Sequence, residues 1–126
     1  MTLFLTVLAL AAPGADTPSV EAQTARCHTK ACYRRVERKR ARHRRSYMRR
    51  VIAPYRGWLA RTQACESPTG RDSANGMYHG FYQFDVQSWY GAGGHGMPCQ
   101  ASWLEQSYRA VIWLKKAGRG AWPVCG

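Results

Sequence analysis

The sequence predicts a mainly α (α+β) protein, in which a basic helical arm precedes one small helical domain with a short β-hairpin. Three observations carry that expectation: charge and aromatic residues are segregated along the chain, apolar residues recur at helical spacing in several segments, and one glycine-punctuated aromatic stretch alternates as a strand does. Of 126 residues, 19 are Lys or Arg and 7 are Asp or Glu, for a formal charge of +12. The stretch from Arg26 to Arg50 holds 12 basic residues against one acid, Glu37, whereas the 70 residues from Gly57 onward carry only +2 and all five Trp. The aromatic material for a core therefore lies in the second half.

The elements follow in order. Leu3 to Ala12 is an apolar run ending before Pro13 and Gly14, so residues 1–15 are expected to form a signal peptide, although no Lys or Arg precedes the run. It falls short of the roughly 20 apolar residues that a helix needs to cross a bilayer. Residues 16–30 are expected to be a linker, given their Thr, Pro and Ser content. Five cysteines in so short a chain suit an oxidising compartment, and a secreted or cell-wall-associated protein is the working expectation.

Residues 31–54 form the expected arm. Neither Gly nor Pro interrupts Ala31 to Arg50, and Tyr47, Met48, Val51, Ile52 and Tyr55 recur at helical spacing near its end. Before Tyr47, Tyr33 and Val36 are the sizeable apolar side chains, so the first half should be solvated. Such an arm suits adhesion to an anionic cell envelope, with counterions released as phosphates or carboxylates are paired. No module for reading nucleic acid accompanies the charge, and no specific nucleic-acid partner is expected.

Residues 55–126 form the expected domain. Trp58 to Glu66 is a short helix closed by Ser67, Pro68, Thr69 and Gly70. A carboxylate at a helix C-terminus meets the negative end of the dipole, and neighbouring rings desolvate it, so Glu66 should have a raised pKa, the environment of a general acid. Taken alone, this clue fits a solvated Glu ending an amphipathic helix better. Asn75 to Phe84 is the expected hairpin, with Tyr78 and His79 beside a cleft. Asp85 is a natural N-cap for the helix that holds Trp89, and equally a candidate second carboxylate. A glycine loop from Gly91 to Gly96 leads to a final helix, with Ser102 and Glu105 as a capping box, a stripe of Leu104, Tyr108, Val111, Ile112 and Leu114, and Gly118 as C-cap. Glu105 is therefore structural.

Trp89 and Tyr78 are candidates for stacking on sugar rings, while Trp58, Trp103, Trp113 and Trp122 are assigned to the core. His79 has no partner spacing that makes a zinc site, so hydrogen bonding is its expected role, and neither metal nor cofactor is expected. Cys27 and Cys32 are close enough to close a small loop, although a continuous helix would separate them, and Cys99 is then left over.

Taken in order, Trp58 with Ala64-Cys65-Glu66, Asn75-Gly76 with Tyr78 and Gly80, Gln83-Phe84-Asp85 with Trp89, Ala101-Ser102 with Glu105-Gln106, and Gly118 with Trp122-Pro123-Val124-Cys125 resemble the transglycosylase-like domain of resuscitation-promoting factors. The resemblance implies a lysozyme-like fold acting on peptidoglycan glycan strands. It implies Glu66 as the catalytic acid, a domain-closing disulfide between Cys65 and Cys125, and cleft positions at Gln83, Asp85, Ser88 and Trp89. The expected function is cleavage of the β-1,4 bond between N-acetylmuramic acid and N-acetylglucosamine by a monomeric secreted enzyme. It would be a lytic transglycosylase if Glu66 works alone, or a muramidase (a hydrolase) if Asp85 reaches the opposite face. The alternative is a non-catalytic cationic module that holds the cell wall.

Overall fold

The computed structural model describes residues 20–69 and 76–126. The expected signal peptide and most of the loop after Pro68 lie outside them. Two compact units divide the chain, residues 1–38 and 39–126. The expected domain start at residue 55 lies within the second unit.

In the first unit, helix α1 (Val20–Ala25) occupies part of the expected linker. A short turn follows, and Thr29 caps the next helix by accepting the Cys32 N–H on its hydroxyl at 3.2 Å. Helix α2 (Lys30–Ile52) thus starts after Cys27, not before it. That start resolves the geometric objection to the small loop: Cys27 precedes the helix, Cys32 sits in its first turn, and the two are joined across a Cα separation of 5.4 Å. The chain-entropy model gives such a loop about 2 kcal/mol.

α2 buries Met48 and Ile52, both near its C-terminus. Its cationic residues upstream are exposed, as an arm without an apolar stripe requires. In the second unit the helix is anchored by Arg44, which donates to Glu105, and by Tyr47, whose ring meets Tyr108 edge-on at 6.0 Å. Pro54 ends α2 and a single 3-10 turn, Ala53–Tyr55, leads into α3 (Arg56–Glu66). Helix α4 (Val86–Gly91) and helix α5 (Trp103–Ala117) follow. The start of α5 keeps half of the expected capping box: Ser102 accepts the Glu105 N–H, but the Glu105 carboxylate is taken by Arg109 and Arg44, each at 2.8 Å. Gly118 closes α5 at φ 73°, a left-handed backbone that glycine adopts without a Cβ penalty.

The hairpin is a correction. Among the described residues it reduces to one antiparallel bridge, in which His79 and Phe84 exchange both N–H···O bonds at 2.9 and 3.0 Å. A longer ladder needs extended backbone, yet Gly80 and Gln83 are left-handed at φ 77° and 47° and Asp85 at once begins capping α4. The mainly α class holds and the β part shrinks to that bridge.

Tyr82, Phe84, Trp89 and Trp122 join Ile52, Leu59, Ala110 and Val111 in the core. Phe84 meets Trp89 and Trp122 edge-on, each at 5.5 Å between centroids, and Trp122 meets Trp58 at 5.2 Å. Several polar groups inside are paired. The Tyr82 and Ser107 hydroxyls are 2.9 Å apart, and Gln106 accepts the Phe81 N–H and donates to the Ala101 carbonyl, each at 2.8 Å. Gly94 lies flat on the Trp89 indole, where any Cβ would collide with the ring.

Candidate active site

Pro68 disfavours helical backbone at the residue before it, and Ser67 duly leaves α3 at φ −156°, making Glu66 the last helical residue. Its carboxyl is half-buried and faces a cleft of about 350 Å³. Tyr78 and Gln83 form one wall, and the chain end from Ala121 to Cys125 forms the other. Burial pushes the Glu66 carboxyl above its ordinary value. Its place at the negative end of α3 acts in the same direction.

The chain-end wall is fixed at several points. Cys125 is bonded to Cys65, across 60 residues of sequence. Its carbonyl accepts the Thr62 hydroxyl at 3.2 Å, and the Trp122 indole N–H donates to the Tyr82 carbonyl at 2.8 Å. In the chain-entropy model a loop of that length contributes about 4 kcal/mol.

Gln83 stands apart as a non-glycine residue with positive φ, at 47°. Its side chain donates to the Gly80 carbonyl at 2.8 Å, which holds the turn. A left-handed non-glycine residue costs on the order of 1 kcal/mol, and such costs gather at functional sites.

Asp85 lies in a different environment. It caps α4, its Oδ1 accepting the Ser88 N–H at 2.8 Å and its Oδ2 the Ser88 hydroxyl at 2.6 Å. Burial alone would raise its carboxyl. The hydrogen bonds from the Ser88 hydroxyl and from nearby backbone N–H groups together hold it below the ordinary value. Asp85 is not among the residues lining the Glu66 cleft.

The structure thus brings Glu66, Tyr78, Gln83 and the Cys65–Cys125 bridge together, and His79, Asp85, Ser88 and Trp89 are not among the residues lining the cleft. Trp89 is fully buried, so no sugar can stack on it; its indole N–H donates to the His95 carbonyl at 3.3 Å. His79 is buried too, with its backbone committed to the bridge. Ser88 serves Asp85. Trp103, assigned to the core by sequence, is 47% exposed. The sequence reading also missed Ala121, Pro123 and Val124 as cleft residues. The signal was there: a bridge from Cys65, beside Glu66, to Cys125 draws the preceding residues against the acid. Among the described residues no group of three or more His, Cys, Asp or Glu could hold a metal ion, and no helix is long and apolar enough to cross a membrane.

Comparison with known proteins adds two findings. Residues 56–125 match the family model described as the transglycosylase-like domain. Over 67 residues the chain is 46% identical to the resuscitation-promoting factor Rpf of Micrococcus luteus, a match that spans 52% of this chain and 30% of that protein. No solved structure matches. With more than half of its length matched, from the start of α3 to the cysteine that closes the cleft, the chain belongs to the transglycosylase-like domain family of resuscitation-promoting factors.

Proposed function

We propose that the domain cleaves the β-1,4 bond between N-acetylmuramic acid and N-acetylglucosamine in peptidoglycan, with Glu66 as general acid and then base. The observation that carries this reading is a carboxyl at the end of α3, facing an open cleft, that burial keeps protonated to higher pH than an ordinary Glu. Glu66 donates its proton to the glycosidic oxygen as the bond breaks and positive charge builds on the sugar ring. Returning as base, it takes the proton from the muramyl C6 hydroxyl as that oxygen attacks C1, leaving a 1,6-anhydro end. Tyr78, 41% exposed on the cleft wall, is placed to meet a sugar ring, and Gln83 to hold the turn beside it. The engagement of both Asp85 oxygens by Ser88 supports the route with one acid over one with two carboxylates.

Secretion is part of the proposal, supported by two disulfides. The exposed cationic turns of α2 concentrate the enzyme on an anionic wall, an attraction that salt screens. Removing residues 1–38 is expected to lower retention on cell walls at low salt more than at high salt; equal retention at both would leave the arm without this role.

Mass spectrometry of sacculi digested by the wild type and by Glu66→Gln tests the chemistry. Anhydro ends from the wild type and none from the variant support the proposal. Reducing ends would make the enzyme a hydrolase. Release by neither protein, with wall binding retained, would make it a binding module.

A further inference from the structure

A second cavity, about 410 Å³, opens in the same unit beside α3. Arg49 and Ile52 of α2, Arg56 and Leu59 of α3, and Trp103 and Leu104 at the start of α5 form its walls. Arg49 and Ile52 precede residues 56–125, so the groove is not a feature of the matched domain alone. Gln63, one turn before Glu66 on α3, also lines it.

Three features point to a ligand. Trp103 is 47% exposed, yet its ring is held, because the indole N–H donates to Gln63 Oε1 at 2.9 Å. A fixed, exposed indole offers its face to the C–H side of a sugar at little entropic cost. Next, neither Arg49 nor Arg56 is paired with a carboxylate among the described residues, whereas Arg44 and Arg109 share Glu105. Two open guanidiniums at the rim of one cavity suit a carboxylate, which each can grip bidentately. Lastly, Arg49 also lines a shallow depression with Arg42 and Arg45, so positive charge continues along one face of α2. The spacing of 42, 45, 49 and 52 is that of a single helix face.

The floor speaks against a lipid surface. Ile52 and Leu59 are 4% and 2% exposed and do not protrude, so they cannot enter a bilayer. A ring-sized ligand has to come to them.

We infer that this groove binds a muramyl residue of the glycan strand by stacking on Trp103, with a stem-peptide carboxylate held by Arg49 and Arg56. The inference rests on the peptidoglycan reading above. It adds a second attachment point outside the Glu66 cleft, one that retains an anionic polymer and favours strands that carry stem peptides over stripped ones.

The test uses the full chain with Glu66→Gln, so that ligand is bound and not consumed. A soluble disaccharide-tetrapeptide from peptidoglycan is titrated while the indole N–H of Trp103 and the backbone N–H of Gln63 and Leu104 are followed by NMR. These signals are expected to shift and saturate. Trp103→Leu, and separately Arg49→Ala with Arg56→Ala, should weaken that response about tenfold with the melting temperature retained. Should the leucine variant fail to fold, the exposed arginine pair carries the test. Uncharged chitotetraose should bind the groove at least tenfold more weakly than the tetrapeptide-bearing fragment. Unshifted groove signals overturn the inference, and if the Tyr78 and Gln83 signals still respond, the function proposed for the cleft stands without it. Shifts produced by phosphatidylglycerol vesicles and not by the fragment would also overturn it.

Discussion

Glu66 and Asp85 are two carboxylates of one small unit, and their environments push them in opposite directions. Glu66 ends α3, where the helix offers carbonyls and burial removes water, and its carboxyl is raised. Asp85 begins α4, where free N–H groups and the Ser88 hydroxyl stabilise the anion, and its carboxyl is lowered. The side-chain chemistry is the same. What differs is burial and which end of a helix each occupies, so Glu66 suits the proton donation proposed for it while Asp85 is held as a helix cap.

The sharpest way to break this contrast is to neutralise each carboxylate in turn. Glu66→Gln should lower glycan turnover by about a thousandfold or more, since among the described residues no other carboxyl lines the cleft. Asp85→Ala, corrected for its folded fraction, should stay within about tenfold of the wild type. Release of muropeptides from sacculi under single-turnover conditions measures both. Comparable losses would make Asp85 a partner in the chemistry.

The next effect concerns the tether at the end of α3. Cys125→Ser should cost about 4 kcal/mol and free the wall opposite Tyr78, while Cys27→Ser should cost about 2 kcal/mol in the first unit alone. Denaturant unfolding of both, with peptide mapping of the non-reduced protein, separates them. A bridge from Cys65 to Cys99 would overturn the pairing.

A smaller change is expected from the cap. Asp85→Ala should destabilise by about 1 kcal/mol and Asp85→Asn by less, because asparagine still accepts the Ser88 N–H. Thermal melts at neutral pH decide it.

The smallest effect is in pH dependence, where the two groups have opposite signs. Glu66 is raised in the fold, so the stability linked to it is complete below the unfolded value near 4.5 and is lost as pH rises through the folded value. Glu66→Gln should therefore melt higher than the wild type at pH 7, with the gap closing below about pH 4. Asp85 is lowered, so its contribution is complete above its unfolded value near 3.8 and is lost as pH falls through the folded one. Melting temperatures of the wild type and both variants from pH 3 to 7 check the signs, and a Glu66→Gln gap that widens in acid would refute the burial argument.

Helix ends were the most legible feature of the sequence. Pro68 after Ser67, Ser102 three residues before Glu105, and Gly118 all act through local backbone sterics or a single hydrogen bond, so short windows reveal them. The hairpin shrinks to one bridge because Gly80 and Gln83 turn left-handed, which the alternation of aromatic residues does not reveal. Cys27 and Cys32 depended on where α2 starts, which Thr29 decides.

By itself, the sequence determined the mainly α class, the separation of a cationic helix from an aromatic core, and the place of Glu66 at the end of α3. These follow from composition, period and breakers, which are local or additive properties. Tertiary packing decided which tryptophans face water. Trp89 and Trp103 are alike as residues, yet Trp89 is enclosed by Phe84 and Gly94 while Trp103 caps an open groove beside Gln63. Packing also set the Pro123–Val124 segment against Glu66 and turned the Asp85 oxygens toward Ser88. Burial depends on contacts between residues far apart in the chain, and no window of sequence contains them.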